Sequence, residues 1–271
     1  MIRFFKILLA MVFVMLWDLA WADDSRILDQ RQLPNQLGTY LHSQIAPADA
    51  VAKIDIYTVK LAESYHARLY LQPVNSQAQA KFMGDLDPAE NFILAMNGGF
   101  YTPEFQPVGL MIDQGKQLKR FSKNRLLTSC VSIDKQGKML LVPRCRQSPG
   151  TFYAMQTGPV IMDHGRITDD IQSLQEKSHV PKSYFGPHPR TILAESKDKS
   201  LLMIITSAMT LQQELNVLQN DPKALGVEKI ESAINLDGGA STGMYIRFKD
   251  SPVYVQESKP VKVLVLINDK L

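Results

Sequence analysis

Apolar and polar residues alternate along much of the chain, a pattern that predicts strands far more often than helices. Residues 52–59 (Ala-Lys-Ile-Asp-Ile-Tyr-Thr-Val) and 65–71 show a period of two, the mark of half-buried strands. Residues 92–96 form a continuous apolar run that stops at Asn97-Gly98-Gly99, as a strand buried on both faces does. Further strands are expected at 108–112, 191–194, 201–206, 233–236, 244–248 and 261–267. Residues 126–133 and 138–142 flank Asp134-Lys135-Gln136-Gly137 and predict a hairpin. A second, tight hairpin is expected about Asp163-His164-Gly165. Helical signals are fewer. Thr210 is placed to N-cap a segment with Leu211, Leu215 and Leu218 on one face, ending before Asp221-Pro222. Shorter helices are expected near 77–83 and 172–177. Residues 23–50 read as irregular, with Pro34, Gly38 and Pro47 as breakers. Strands that outnumber helices without regular interleaving predict an α+β fold: mixed or antiparallel sheets flanked by a few helices, in a single domain.

The start of the chain has a different character. Arg3 and Lys6 precede an apolar run at 7–17, followed by Ala20-Trp21-Ala22, a small-x-small pattern. These are the three regions of a secretory signal peptide, with cleavage expected after Ala22. The run is too short for the roughly 20 residues that span a bilayer, so no stable membrane span is expected after cleavage. No Cys directly follows it, which argues against lipoprotein attachment. The expected division is 1–22 signal peptide, 23–50 N-terminal extension and 51–271 main domain, with a periplasmic or secreted location. Export places Cys130 and Cys145 in an oxidising compartment, where a disulfide is expected. Strands paired about the 134–137 turn would not set the two directly opposite, and two free buried thiols are the other reading.

Composition narrows the choice of function. The chain has 271 residues, 45% apolar and 21% charged, ordinary values for a globular protein. Its net charge of +3 comes from 30 basic and 27 acidic residues. Such a balance, without a Lys/Arg-rich block, excludes a dedicated nucleic-acid binder. Two Cys and five His exclude multi-Cys zinc modules. No metalloprotease, EF-hand, Walker or dinucleotide-binding signature is present, so neither metal nor cofactor is expected.

Chemistry concentrates in four segments. Two glycine pairs each follow a strand pattern: Asn97-Gly98-Gly99-Phe100-Tyr101, and Asn235-Leu236-Asp237-Gly238-Gly239-Ala240-Ser241-Thr242. Paired glycines let a ligand approach the backbone, and their N–H groups can form an anion nest beside Asn97 or Asp237. Tight turns would account for either pair alone. Gly186-Pro187-His188-Pro189-Arg190-Thr191 runs stiffly into a strand and presents a guanidinium suited to phosphate or carboxylate. Thr157-Gly158-Pro159 opens another strand and is placed to abut the site. Gly239-Ala240-Ser241-Thr242-Gly243 matches the nucleophile elbow in form, but strand follows it and all five His precede Ser241. An α/β-hydrolase is therefore excluded as the first choice.

In this order the four segments resemble the phosphodiester glycosidase family over roughly residues 50–270. The resemblance implies Asn97, Gly98, Gly99, Gly158, Pro159, Arg190, Thr191, Asp237, Gly238, Gly239, Ser241 and Thr242 as site residues, and His188, held between its two prolines, is a further substrate-binding candidate. Ala240 departs from the family's third glycine, and its methyl is expected to narrow the pocket or bar a positive φ. The activity implied is hydrolysis of the glycosidic bond of a sugar-1-phosphodiester in envelope or extracellular glycans, a carbohydrate or glycosyl-phosphate being the partner. A phosphate monoester leaves as a stabilised anion, so charge stabilisation matters more than protonation. Arg190 and the amides of Gly98-Gly99 and Gly238-Gly239 suit that task. Asp237 is the expected carboxylate at the anomeric carbon, with Asn97 beside it. Asp113 and Asp163 are candidates for a second carboxylate, though both read more readily as turn residues. Two other functions fit the same residues: a non-catalytic binder of glycan or phosphorylated polymer, and a hydrolase of another bond with Ser241 as nucleophile.

Overall fold

Strands dominate the computed structural model, which describes residues 25–47, 52–143, 145, 150–169, 171, 173 and 182–269. In chain order they are β1 (Arg26–Gln32), β2 (Gly38–Ile45), β3 (Ile54–Leu61), β4 (Tyr65–Leu71), β5 (Leu94–Asn97) and β6 (Met111–Asp113). Then come β7 (Lys116–Lys119), β8 (Ser129–Asp134), β9 (Met139–Val142), β10 (Thr151–Thr157), β11 (Val160–Asp163) and β12 (Arg166–Ile167). The last are β13 (Thr191–Ser196), β14 (Leu201–Thr206), β15 (Ile230–Asn235), β16 (Met244–Ile246), β17 (Val253–Val255) and β18 (Val263–Asp269). Helix α1 (Leu211–Asn220) lies between β14 and β15.

The strands form three sheets, one of eight strands and two of five. The large sheet has the order β1-β2-β3-β14-β13-β15-β11-β12. The others run β17-β16-β5-β18-β4 and β7-β6-β10-β8-β9. The paired strands are antiparallel throughout. Side-chain alternation explains why the central strands read as apolar runs. On β13, Leu193 enters the core shared by the three sheets, while Ile192 and Ala194 face the core under α1. On β5, Leu94 and Met96 join the shared core, and Ala95 packs with Phe92 and Leu264 on the other side. Both faces are covered, so neither can be polar.

The fold is more β-rich than the expected α+β arrangement. The helix expected at 77–83 is replaced by 3-10 turns at Gln77–Gln79 and Met83–Asp85. The helix expected at 172–177 lies outside the described residues except for Ser173. Helix α1 forms as expected, with a reciprocal cap. The Thr210 hydroxyl accepts from Gln213 N, and Gln213 Oε1 accepts from Thr210 N.

A second correction concerns the region expected to be irregular before residue 50. It contains the β1–β2 hairpin, and β2 pairs with β3 along its whole length. The supposed breakers shape that hairpin. Pro34 opens its turn, and Gly38 takes φ +143 where a Cβ would lie 2.0 Å from Lys60 O. Strand β1 is exposed on nearly every residue, so it has no apolar face for alternation to reveal.

Cys130 and Cys145 form a disulfide with their Cα atoms 4.8 Å apart. Cys130 on β8 faces Val142, the last residue of β9, and Cys145 returns beyond the strand end to reach it. Among the described residues no helix is long and apolar enough to cross a membrane.

Candidate active site

The glycine-pair loops meet where β13 and β15 of the large sheet abut β5 and β16 of a small one. Asn97, the last residue of β5, joins them. Its Nδ2 donates to Asp237 O, and its Oδ1 accepts from the Thr191 hydroxyl at 2.9 Å and from Gly243 N at 3.1 Å. The Thr191 and Thr242 hydroxyls lie 3.2 Å apart. Asn97 and Thr191 have no solvent exposure, and Thr242 is also buried. One amide side chain thus binds segments more than 90 residues apart. The structure brings Asn97, Thr191, Asp237 and Thr242 together, with Asn97 acting as a clamp between loops.

Main-chain bonds continue the clamp. Gly98 N donates to Val263 O, Asp237 N to Gly98 O, and Gly239 N to Pro189 O. The nest expected from the Gly98 and Gly239 amides is therefore filled by carbonyls of the protein itself. Gly98 and Gly99 lie against Met155, and a Cβ on Gly98 would crowd Val263 at 3.0 Å. Gly239 takes φ +61, whereas Ala240 does not adopt a positive φ. The departure from a third glycine therefore costs no backbone strain, and Ala240 is exposed.

Asp237 is half-buried at the mouth of this junction. Burial pushes its carboxyl up to about 6. Hydrogen bonds from the Ser241 hydroxyl and Gly238 N, and the positive charge of Lys259, pull the other way but do not cancel it. Ser241 is buried, with its hydroxyl 3.5 Å from that of Tyr101. Gln77 Nε2 donates to the Tyr101 hydroxyl at 3.2 Å and to Pro260 O at 3.0 Å. The exposed Lys259 ammonium lies 5.4 Å from the Tyr101 ring centroid. Its loop is fixed by Ser258 N and Lys259 N, which both donate to Ala240 O. A carboxylate, a hydroxyl pair and a cation therefore share one surface.

Arg190 does not face that surface in the way its sequence context suggests. It is 5% exposed, and its guanidinium donates to Tyr184 O and Gly186 O at 3.0 Å and to Met209 O at 3.3 Å. Its Nε lies 3.6 Å from a Glu214 carboxylate oxygen of α1. Neither oxygen of Glu214 has a hydrogen-bond partner among the described residues, and burial raises its pKa to about 7. Arg190 thus straps the 184–190 segment to α1, and that segment supplies the Pro189 carbonyl under Gly239. His188 is exposed, and its main chain pairs with Met209. Gly158 takes φ +140 and its N–H donates to Asn235 O. A Cβ there would lie 2.6 Å from Leu126 O, so the close approach requires glycine.

Asp113 and Asp163 sit at the turn ends of the β6–β7 and β11–β12 hairpins, away from Asp237. A further carboxylate, Glu257, is buried against the second glycine loop. It lies 3.0 Å from where a Cβ on Gly243 would be and accepts from Met83 N and Tyr254 Oη. Lys259 carries no sequence signal, because its place beside Asp237 depends on a loop contact. Tyr101 stands in the first glycine-pair motif, where its distance from the glycines hides its role. Among the described residues no three His, Cys, Asp or Glu side chains converge as metal ligands would.

The phosphodiester glycosidase family model matches residues 90–267. An uncharacterized protein, YigE of Escherichia coli (strain K12), is 27% identical over 138 residues, which are 46% of this chain and 54% of that protein. The match thus spans about half the length of that relative. The zebrafish N-acetylglucosamine-1-phosphodiester alpha-N-acetylglucosaminidase catalytic domain, auto-inhibited by its pro-peptide, superposes with a TM-score of 0.63. That alignment covers 91% of this chain and 85% of the zebrafish chain at 15% identity, a likeness of fold. A hypothetical protein from Synechocystis superposes at 0.58, covering 91% of this chain and 64% of its own, at 11% identity. With about two thirds of its length matched by the family model, the chain belongs to the phosphodiester glycosidase family.

Proposed function

We propose that this protein is an exported hydrolase of the glycosidic bond in sugar-1-phosphodiesters of envelope or extracellular glycans. The observation that carries the reading is the Asp237 carboxylate at the joined glycine loops, hydrogen-bonded by the Ser241 hydroxyl and acted on by the charge of Lys259. A carboxyl poised near 6 accepts a proton at neutral pH better than an ordinary aspartate. In this reading Asp237 activates water or supports the oxocarbenium-like centre, and Lys259 meets the phosphate. Asn97, Thr191 and Arg190 position the loops rather than touch substrate. The leader pattern at 1–22 and the Cys130–Cys145 bridge support export.

The test is release of reducing sugar from a sugar-1-phosphodiester. Asp237→Asn is expected to lower kcat by about a hundredfold or more. Undiminished turnover would remove Asp237 from the reaction. Saturable binding with no turnover over a broad substrate panel would replace hydrolysis by recognition, and fluorophosphonate labelling of Ser241 would favour a serine hydrolase.

A further inference from the structure

The balanced charge of the whole chain hides a local concentration. Residues 116–125 read Lys-Gln-Leu-Lys-Arg-Phe-Ser-Lys-Asn-Arg, five basic side chains and no acidic one. This corrects the expectation of no Lys/Arg-rich block. Lys116, Lys119, Arg120, Lys123 and Arg125 are all exposed, and none forms an ion pair among the described residues. Two large apolar side chains stand among them in the open, Leu118 at 46% and Phe121 at 52% exposure.

The segment is held in a defined shape. The fully buried Gln156 side chain accepts from Ser122 N and donates to Ser122 O, both at 2.8 Å. Asn124 caps the next turn by accepting from Leu126 N at 2.9 Å. Gln156 also backs the candidate site, its carbonyl lying 3.6 Å from where a Cβ on Gly99 would be. The strip is therefore a fixed surface near the glycine loops.

Its occupant follows from the mixture of side chains. Strand β7 is a sheet edge, the place where a second copy could add a strand. Lys119 pairs with Met111 and Gln117 with Ile112, which leaves Leu118 as the extra residue of a bulge. A bulged, lysine-rich edge disfavours strand addition. Edge protection explains the lysines but not Leu118 and Phe121, whose exposure works against it. A soluble polyanion would be met by the cations alone. Apolar side chains interspersed with cations match a lipid interface, where the first enter the acyl boundary and the second meet anionic headgroups. We propose that residues 116–125 dock the protein on an anionic lipid surface. The inference rests on exposure and charge, independently of the hydrolase reading.

Every described element follows Ser25, so a chain starting at Asp23 carries the whole described fold. Such a chain has no tryptophan, since Trp17 and Trp21 are the only two. Phe121→Trp then installs a single reporter on the strip. On vesicles containing phosphatidylglycerol its emission is expected to shift to the blue, and the unsubstituted chain is expected to co-sediment. Neither is expected on phosphatidylcholine alone. Lys119→Glu/Arg120→Glu and, separately, Leu118→Ser/Phe121→Ser should each weaken partition by about tenfold or more, with unchanged thermal midpoints. Absence of partition on the anionic vesicles overturns the proposal. So do equal partition on neutral ones and partition that survives Leu118→Ser/Phe121→Ser.

Discussion

Asp237 is the residue on which burial and charge act most directly against each other. Burial holds its proton, while Lys259, Ser241 and Gly238 N favour its loss. If the ionised form works, kcat/KM rises through an acid limb near pH 6. Lys259→Met removes one of the groups favouring ionisation, so the limb should move to higher pH while the rate also falls. A pH–rate profile of both proteins checks this; an unmoved limb would remove Lys259 from the field at Asp237. The same residue makes a stability prediction. Its folded pKa of about 6 lies above the ordinary 3.8. Between those values the unfolded chain releases the proton first, so stability falls as pH rises through the window. Asp237→Asn should therefore melt no lower than wild type at about pH 7.5, with its advantage shrinking toward about pH 4. Thermal melting across that range separates lost chemistry from lost structure.

At the scale of elements, the junction of β5 with β13 and β15 depends on one amide. Asn97 accepts from Thr191 and Gly243 and donates to Asp237 O with no contribution from solvent. Asn97→Ala leaves buried donors and a carbonyl without a partner, at a cost of about 2–3 kcal/mol. Denaturant unfolding should show that loss, with a fall in activity because the Asp237 loop loses its anchor. The strands that make this junction are legible in the sequence because both faces of β5, β13 and β14 are covered and appear as apolar runs. Strand β1 is not legible, because almost nothing covers it. The helix expected at 77–83 fails for a related reason: Gln77 and Gln79 are not core-facing, and Gln77 is used by Tyr101 and Pro260.

For the whole molecule, three sheets share one core, and loops from two of them supply the site. The small β8–β9 sheet edge is closed by the Cys130–Cys145 bridge, whose partners are 15 residues apart. Cys130→Ser/Cys145→Ser frees that loop in the unfolded state and should lower stability by about 3 kcal/mol. A measured change near zero would mean the local sheet holds without the covalent tie. The proposed hydrolysis should survive this substitution where the protein remains folded, because the bridge lies outside the glycine-loop junction.

By itself the sequence determined the strand-rich core, the capped helix, the one pair of cysteines available to bridge and the glycine-pair turns. Each follows from local periodicity, backbone-permissive glycines or the number of cysteines. Tertiary structure alone decided where the side chains point. Arg190 turns inward because Tyr184, Gly186 and Met209 carbonyls and the Glu214 carboxylate surround it. Lys259 reaches the Asp237 surface because its loop is bonded to Ala240 O. Sequence spacing carries residue type and period, but the direction of a long cation is set by the acceptors that folding brings within reach.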